Sequence, residues 1–278
     1  MNRSVLLGIL VSLVASLVGC HPSAVPPTAV APGDPAAVGP ATTPQVVARP
    51  GEQATYKITI HGIEVAQLVV SVGQPTTIDG TEVIIAQCHV TSAKLLGWVH
   101  PLNDTLTSWI DRTTGQPVRY RSIELASRDG DDFEDSESRF APKSFGVHVL
   151  RRGKVIDETQ VVRDIAYDIP SMLTLLRSWE AEPGSRRSFD VMRSRNAWRV
   201  NIVVGAFENL STPLGDMATV RFDGDGVRIF RDGTEDPKGD HRKFSIWVSD
   251  DADRVPARMV ARTDYGDVDV QIVAYRAQ

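Results

Sequence analysis

The residues that could act as nucleophiles or metal ligands are two cysteines and six histidines. Cys88 and His89 are neighbours in a segment with strand-like alternation, so their side chains should point to opposite faces and not form a catalytic Cys–His pair. A buried structural thiol is the favoured interpretation of Cys88. The histidines lack metal-ligand spacing, and G-x-S-x-G, phosphate-loop and His-Glu-x-x-His motifs are absent from the sequence. The sequence therefore predicts no catalytic residue, no cofactor and no metal site.

Two acidic clusters contain enough oxygen ligands to raise the question of calcium. The first lies between Asp129 and Glu137, and the second between Asp223 and Asp240. If an EF-hand loop began at Asp129, Glu134 would occupy the position that requires glycine, and Phe140 would replace the final glutamate. Solvated hairpin tips are the favoured interpretation, with a calcium-stabilised surface module as an alternative.

The N-terminus has the most specific chemistry in the chain. Arg3 precedes an apolar run, residues 5–18, that suits the hydrophobic core of a signal peptide and is short for a bilayer span. The run ends in Gly19-Cys20, which resembles the bacterial lipobox: a small residue exposes the scissile bond, and the cysteine thiol accepts a diacylglyceryl group. The sequence predicts a signal peptide over residues 1–19, cleavage between Gly19 and Cys20, and attachment of Cys20 to the membrane through acyl chains such as palmitate.

The segment that follows predicts a tether and a location. Residues 20–50 begin with the lipidated cysteine and contain 8 of the 17 prolines with no periodic apolar face, so we expect a Pro/Ala-rich linker. His21 follows Cys20 where an aspartate would favour inner-membrane retention in enterobacteria. The expected location is therefore the bacterial cell envelope, as an outer-membrane lipoprotein that faces the periplasm or the cell surface.

Residues 51–278 show the period of β-strands. Tyr56, Ile58 and Ile60 alternate with polar residues, and Asp79-Gly80 is typical of a hairpin turn. About a dozen such segments follow one another without alternating helices, which argues against a parallel sheet. The sequence predicts one mainly β domain, an antiparallel sandwich or a strongly curved, barrel-like sheet, with one packed α-helix.

The predicted helix covers residues 169–181. Asp168 can cap it, and Pro183-Gly184 should end it. Its apolar stripe consists of Leu173, Leu176 and Trp179. A helix this short needs to dock on the concave face of the sheet, either as a plug or as a lid over an apolar cavity. Arg177 lies off the stripe, and its removal should matter little if it faces water.

Several motifs together resemble a known family of bacterial envelope proteins, the one catalogued as domain of unknown function 3108. The similarity covers roughly residues 50–276, and its motifs are Tyr167–Gly184, Ser211–Gly215, Trp247–Pro256 and the turn at Gly266. The resemblance implies a secreted or lipid-anchored β-rich domain. It implies no catalytic residues.

Three classes of function fit these observations. The favoured class is a lipid-anchored, non-enzymatic binding or structural module of the envelope, whose partner beyond the membrane could be an envelope protein, peptidoglycan or an apolar ligand. A hydrolase with a site assembled from distant strands and the calcium-stabilised module are the alternatives. The net charge of −5 gives no basic surface for nucleic acid, so a nucleic-acid partner is not expected.

Overall fold

The computed structural model describes residues 47–93, 101–125, 133–239, 241–263 and 266–277, which form sixteen β-strands and one α-helix. The predicted signal peptide, Cys20 and most of the predicted tether lie outside these residues. The first nine strands are β1 (Gln53–Ile60), β2 (Ile63–Val72), β3 (Thr76–Ile78), β4 (Thr81–Ser92), β5 (Asn103–Asp111), β6 (Pro117–Leu125), β7 (Phe133–Ala141), β8 (Ser144–Arg151) and β9 (Lys154–Val161). After them come β10 (Ala166–Tyr167), α1 (Ile169–Ser178), β11 (Arg186–Arg193), β12 (Asn196–Thr212), β13 (Gly215–Ile229), β14 (Arg242–Ser249), β15 (Pro256–Thr263) and β16 (Gly266–Arg276).

All strands belong to one sheet. Its order is β10-β11-β12-β13-β14-β15-β16-β1-β2-β4-β5-β6-β7-β8-β9, with β3 paired to β4. Neighbouring strands are antiparallel except the short parallel pair β10–β11. The prediction of a mainly β, barrel-like fold with one helix is confirmed, and of its two forms the curved, unclosed sheet is the one observed.

Local sequence explains most of this meander. In β1 every second side chain is buried, because alternating residues of a strand point to opposite faces. Tight hairpins connect many neighbouring strands, and at Asp79-Gly80 both residues have positive φ, 49° and 82°. This is the turn geometry that matches the twist of a two-residue hairpin, as the Asp-Gly pair predicted.

The two edges of the sheet approach each other without forming a continuous ladder. The Val161 N–H at the end of β9 donates to the Arg231 carbonyl, with an N···O distance of 2.9 Å. Beside it, the Glu158 carboxylate forms ion pairs with Arg195 and Arg231, with N···O distances of 3.4 Å and 2.5 Å. These contacts join β9 to the turn between β11 and β12 and to the turn that follows β13.

Helix α1 begins and ends through specific hydrogen bonds. The Asp168 carboxylate accepts from the Ser171 N–H at 2.8 Å, while the Ser171 hydroxyl accepts from the Asp168 N–H at 2.9 Å. This reciprocal cap starts the helix where the sequence predicted. The helix ends at Ser178, three residues before the predicted end, because the backbone of Trp179 is extended, with φ −91° and ψ 96°. The Arg254 guanidinium binds the carbonyls of Arg177 and Trp179 at this end. Among the described residues, no helix is long and apolar enough to cross a membrane.

Candidate functional site in the concave face of the sheet

The helix fills the concave face of the sheet. Every residue from Pro170 to Arg177 is buried, so α1 contacts its surroundings on all sides. The predicted stripe lies in the largest core cluster, with exposed fractions of 7% for Leu173, 0% for Leu176 and 9% for Trp179. The ring of Trp179 packs against Phe222 of β13, with centroids 5.6 Å apart. In the structure α1 therefore occupies the interior as a plug.

Arg177 does not face water, so the condition under which its removal would matter little is not met. It is only 6% exposed and forms an ion pair through both terminal nitrogens with the buried Glu52 carboxylate. Its Nε donates to the Arg254 carbonyl at 3.0 Å, and its Nη2 donates to the Asp253 carbonyl at 2.8 Å. Since Arg254 binds the Arg177 carbonyl in return, each arginine fixes the backbone of the other. We call Glu52, Arg177 and Arg254 the helix clamp.

Two small cavities flank the helix. Cavity A, of about 30 Å³, is lined by Ile169, Met172, Trp198, Val200, Gly226, Arg242, Phe244, Ile246 and Met259. Cavity B, of about 40 Å³, lies on the side of β1, β2 and β16, where Glu52, Tyr56, Arg177 and Tyr275 accompany mostly apolar residues. Each volume is only a few times the about 10–15 Å³ that one water molecule needs, so neither cavity holds an extended acyl chain.

The titratable groups around cavity B are arranged for structure and not for proton transfer. Glu52 is held by Arg177 and accepts a hydrogen bond from the Tyr275 hydroxyl at 3.3 Å. Burial, together with the nearby Glu52 charge, raises the pKa of Tyr275 to about 12. Burial also raises the pKa of Tyr56. Both phenols therefore stay protonated at neutral pH, and neither is suited to act as a general base.

A second buried group lies at the N-terminus of the helix. The Ser108 hydroxyl of β5 donates to the Asp168 carboxylate at 2.7 Å, which ties the helix cap to the sheet. Burial raises the pKa of Asp168 to about 6. Burial, with the Asp168 charge as a smaller cause, raises the pKa of Cys88 to about 12. Cys88 is therefore an inert, buried thiol, and His89 lies on the opposite face, 3.0 Å from the Thr105 hydroxyl.

A third group combines two carboxylates with one guanidinium. Arg193 of β11 contacts Glu124 of β6 at 2.8 Å and Asp104 of β5 at 3.8 Å, and all three side chains are largely buried. Burial and the Glu124 charge raise the pKa of Asp104 to about 7, although Arg193 and a hydrogen bond from the Leu125 N–H oppose the rise. One positive charge cannot neutralise both carboxylates, so this cluster favours uptake of a proton near neutral pH.

The acidic clusters are mainly paired with arginines. Asp135 and Glu137 lie within β7, where Arg121 and Arg119 of β6 bind them at 2.8 Å and 2.5 Å. Asp223 lies within β13, so these three residues are not at the hairpin tips that the sequence suggested. Residues 126–132 lie outside the described part of the chain. Within the described part, no group of three His, Cys, Asp or Glu residues is placed to hold a metal ion.

Sequence reasoning missed the buried charges of the concave face. Asp104 lies on the same face of β5 as Leu106, and Glu124 lies on the same face of β6 as Ser122. Their positions in the alternating pattern of each strand were the signal in the sequence that these charged side chains point inward. Arg177 stands within a helix whose other residues are mostly apolar. The partners could not be named, because Glu52 and Arg177 are 125 positions apart in the chain.

An open, curved antiparallel sheet around one buried helix places the protein in a β-barrel-like structural class. A solved structure of this class, the β-barrel-like protein of domain of unknown function DUF1849 from Brucella abortus, is similar with a TM-score of 0.55. The two sequences are 9% identical, and the alignment covers 84% of this chain and 99% of the other. At this identity the likeness shows the fold alone.

The family follows from the sequence match. Residues 55–273 match the family described as Protein of unknown function (DUF3108), and the chain belongs to this family. A comparison with curated proteins gives no match.

Two further solved structures are more distant. A Parabacteroides distasonis protein described as a lipoprotein has a TM-score of 0.39 at 8% identity, covering 84% of this chain and 99% of its own. The hypothetical lipoprotein YmcC from Escherichia coli has a TM-score of 0.30 at 7% identity, covering 81% and 87%. These two likenesses are too weak to carry an argument.

Proposed function

We propose that this protein is a lipid-anchored, non-enzymatic binding module of the bacterial cell envelope. The observation that carries the proposal is the concave face, where a buried helix leaves two small, largely apolar cavities and the Glu52 carboxylate beside one of them is held in an ion pair with Arg177. The Gly19-Cys20 lipobox and the Pro-rich segment after it support anchoring by acyl chains. The absence of an aspartate after Cys20 supports the outer membrane as the location.

The hydrolase alternative has one observation in its favour, because several titratable groups line cavity B. Their arrangement supports a structural role: the Glu52 carboxylate already has an arginine and a phenol as partners. A general base must be free to accept a proton from a substrate or a water molecule. We therefore assign these groups to holding the helix in place, and the interior to binding.

The anchoring part of the proposal is tested by metabolic labelling with radioactive palmitate in the native bacterium. We expect the wild type to carry label and to fractionate with membranes. Cys20→Ser should lose the label, because the serine hydroxyl does not replace the thiol that accepts the lipid. Cys88→Ser is the matched control, since it removes the chain's other cysteine and should keep the label. An unlabelled wild type that fractionates like Cys20→Ser would show that the anchoring proposal is wrong.

A further inference from the structure

The strand β9 has an edge with unpaired backbone groups. It is the last strand in the sheet order, and β8 is its ladder partner. The Val161 N–H donates to the Arg231 carbonyl on the side away from β8. Because backbone groups alternate in direction along a strand, those of Val155 and Asp157 also point away from β8. Within the described residues these two have no backbone hydrogen bond on that side, so they offer donors and acceptors to a further strand.

The free part of this edge is its N-terminal half. Arg195 and Arg231 bind Glu158, and the turn after β13 reaches Val161, so the C-terminal half is covered. In the free half, residues 154–157, the ladder with β8 has neither a bulge nor a proline. Bulges and prolines are features that prevent a sheet edge from pairing with another chain. The free half is therefore suited to pairing.

Exposed apolar side chains lie beside the free half. Leu150 and Val155 are opposite each other in the β8–β9 ladder and are 38% and 56% exposed. Phe133 of β7, which is 37% exposed, lies on the same outer face, since Asp135 two residues later is the ladder partner of Leu150. We call Phe133, Leu150 and Val155 the edge patch. Removing this patch from water is favourable, so an occupant of the edge gains apolar contacts as well as backbone hydrogen bonds.

These features favour a second copy of the chain as the occupant. The other end of the sheet, β10, has two residues and both are buried, so β9 of one copy cannot pair there. The β9 strand of a second copy offers the same unpaired backbone and the same edge patch, and two like edges pair around a two-fold axis that closes at two copies. An anionic lipid surface is disfavoured, because Asp129, Asp131 and Asp132 directly precede Phe133 in the sequence.

We propose that two copies of this protein pair edge to edge through β9, antiparallel, with Val155 of each copy at the two-fold axis. This register uses only the free half of the strand. It joins Leu150 and Val155 to the same two residues of the second copy in one apolar row on the outer face. Lys154 then lies opposite Ile156, and Asp157 lies opposite Gly153, so no like charges meet. A register centred on Asp157 would instead oppose two aspartates. The pairing goes beyond the proposed function and does not depend on lipid anchoring.

The interface is small, so the dimer should be weak. Sedimentation velocity over a series of concentrations measures it on the mature chain, residues 20–278, in which Cys20→Ser keeps the protein free of lipid. We expect a reversible dimer with a dissociation constant of about 10–100 μM. Monomeric protein at every concentration up to about 1 mM would overturn the inference.

Substitutions in the apolar row test the site. Val155→Lys places two positive charges together at the axis, so the dissociation constant should rise at least about ten-fold. Ile63→Lys is the matched control and should dimerise like the parent, because Ile63 is 66% exposed on β2, which does not neighbour β9. Leu150→Ser shortens the apolar row and should also weaken the dimer. Thermal melting checks that each variant is folded, and equal dimerisation by the parent, Val155→Lys and Leu150→Ser would refute the proposed site.

Crosslinking tests the register. In the proposed dimer the Cα atoms of the two Val155→Cys residues lie about 5.5 Å apart, whereas those of two Asp157→Cys residues lie about 14 Å apart, four residues along the strand. A short bismaleimide should therefore link Val155→Cys and not Asp157→Cys, while the buried Cys88 does not react. Linking of Asp157→Cys without linking of Val155→Cys would show that the register is wrong and overturn the proposal.

Vesicles of phosphatidylglycerol test the alternative occupant. Dimerisation without sedimentation on these vesicles supports the inference. A parent chain that stays monomeric and sediments with the vesicles would assign the edge patch to a lipid surface and contradict it. Because these experiments use lipid-free protein, their failure leaves the anchoring proposal intact, which palmitate labelling tests separately.

Discussion

Removal of Arg177 should destabilise the domain strongly, because this side chain is the centre of the helix clamp. Arg177→Ala leaves the Glu52 carboxylate buried with only the Tyr275 hydroxyl as a partner. It also removes the donors to the carbonyls of Arg254 and Asp253. The Arg254 guanidinium still reaches the end of α1, so we expect weakened docking of the helix and not its complete loss.

The magnitude follows from burial. Removing one partner of a buried ion pair costs about 3–5 kcal/mol, since the remaining charge stays desolvated without compensation. An exposed pair gives the contrast: Arg112 and Glu82 have side chains 45% and 61% exposed, and such pairs contribute about 0–1 kcal/mol. The free energy of unfolding should therefore fall by about 3–5 kcal/mol in Arg177→Ala and by less than about 1 kcal/mol in Arg112→Ala.

Urea denaturation followed by tryptophan fluorescence measures both values. The double variant Glu52→Leu/Arg177→Met removes both charges, and it should be clearly more stable than Arg177→Ala because no isolated buried charge remains. If Arg177→Ala costs no more than Arg112→Ala, or if the double variant is as unstable as the single one, the clamp does not stabilise the helix in the way the structure indicates.

The other predictions concern three buried positions. Leu176→Ala should lower the free energy of unfolding by about 2–5 kcal/mol, measured in urea, whereas Leu214→Ala at an exposed site should change it by less than about 0.5 kcal/mol. Because burial raises the pKa of Asp104 to about 7, the folded state binds a proton that the unfolded state has lost, so stability should fall as pH rises from about 4 to 7. Asp104→Asn should flatten that part of the pH profile; an unchanged slope would contradict it. Cys88→Ala should cost about 1–2 kcal/mol, and Cys88 should react with a thiol reagent only after unfolding, because the side chain is buried and burial raises the pKa of its thiol.

The sequence by itself determined the elements that depend on near neighbours. Alternation of side chains along β1 and the turn at Asp79-Gly80 are local properties, so the strand and the hairpin could be predicted from them. The start of α1 was equally local, because Asp168 and Ser171 form the cap three residues apart. The family could also be identified from short motifs, two of which meet at the clamp between Arg177 and Arg254.

Only the tertiary structure decided how the open sheet curves and what its interior contains. A sandwich and a single curved sheet both require strands in which apolar and polar residues alternate, so this pattern does not distinguish them. The choice depends on which strands pair, for example β1 with β16, which come from opposite ends of the domain's sequence. Whether Arg177 faces water could not be decided from the sequence, because its partner Glu52 lies 125 positions away. Cavity A arises where Gly226, Trp198 and Met259 from three strands face the helix, and packing of distant residues leaves no signal in any one segment.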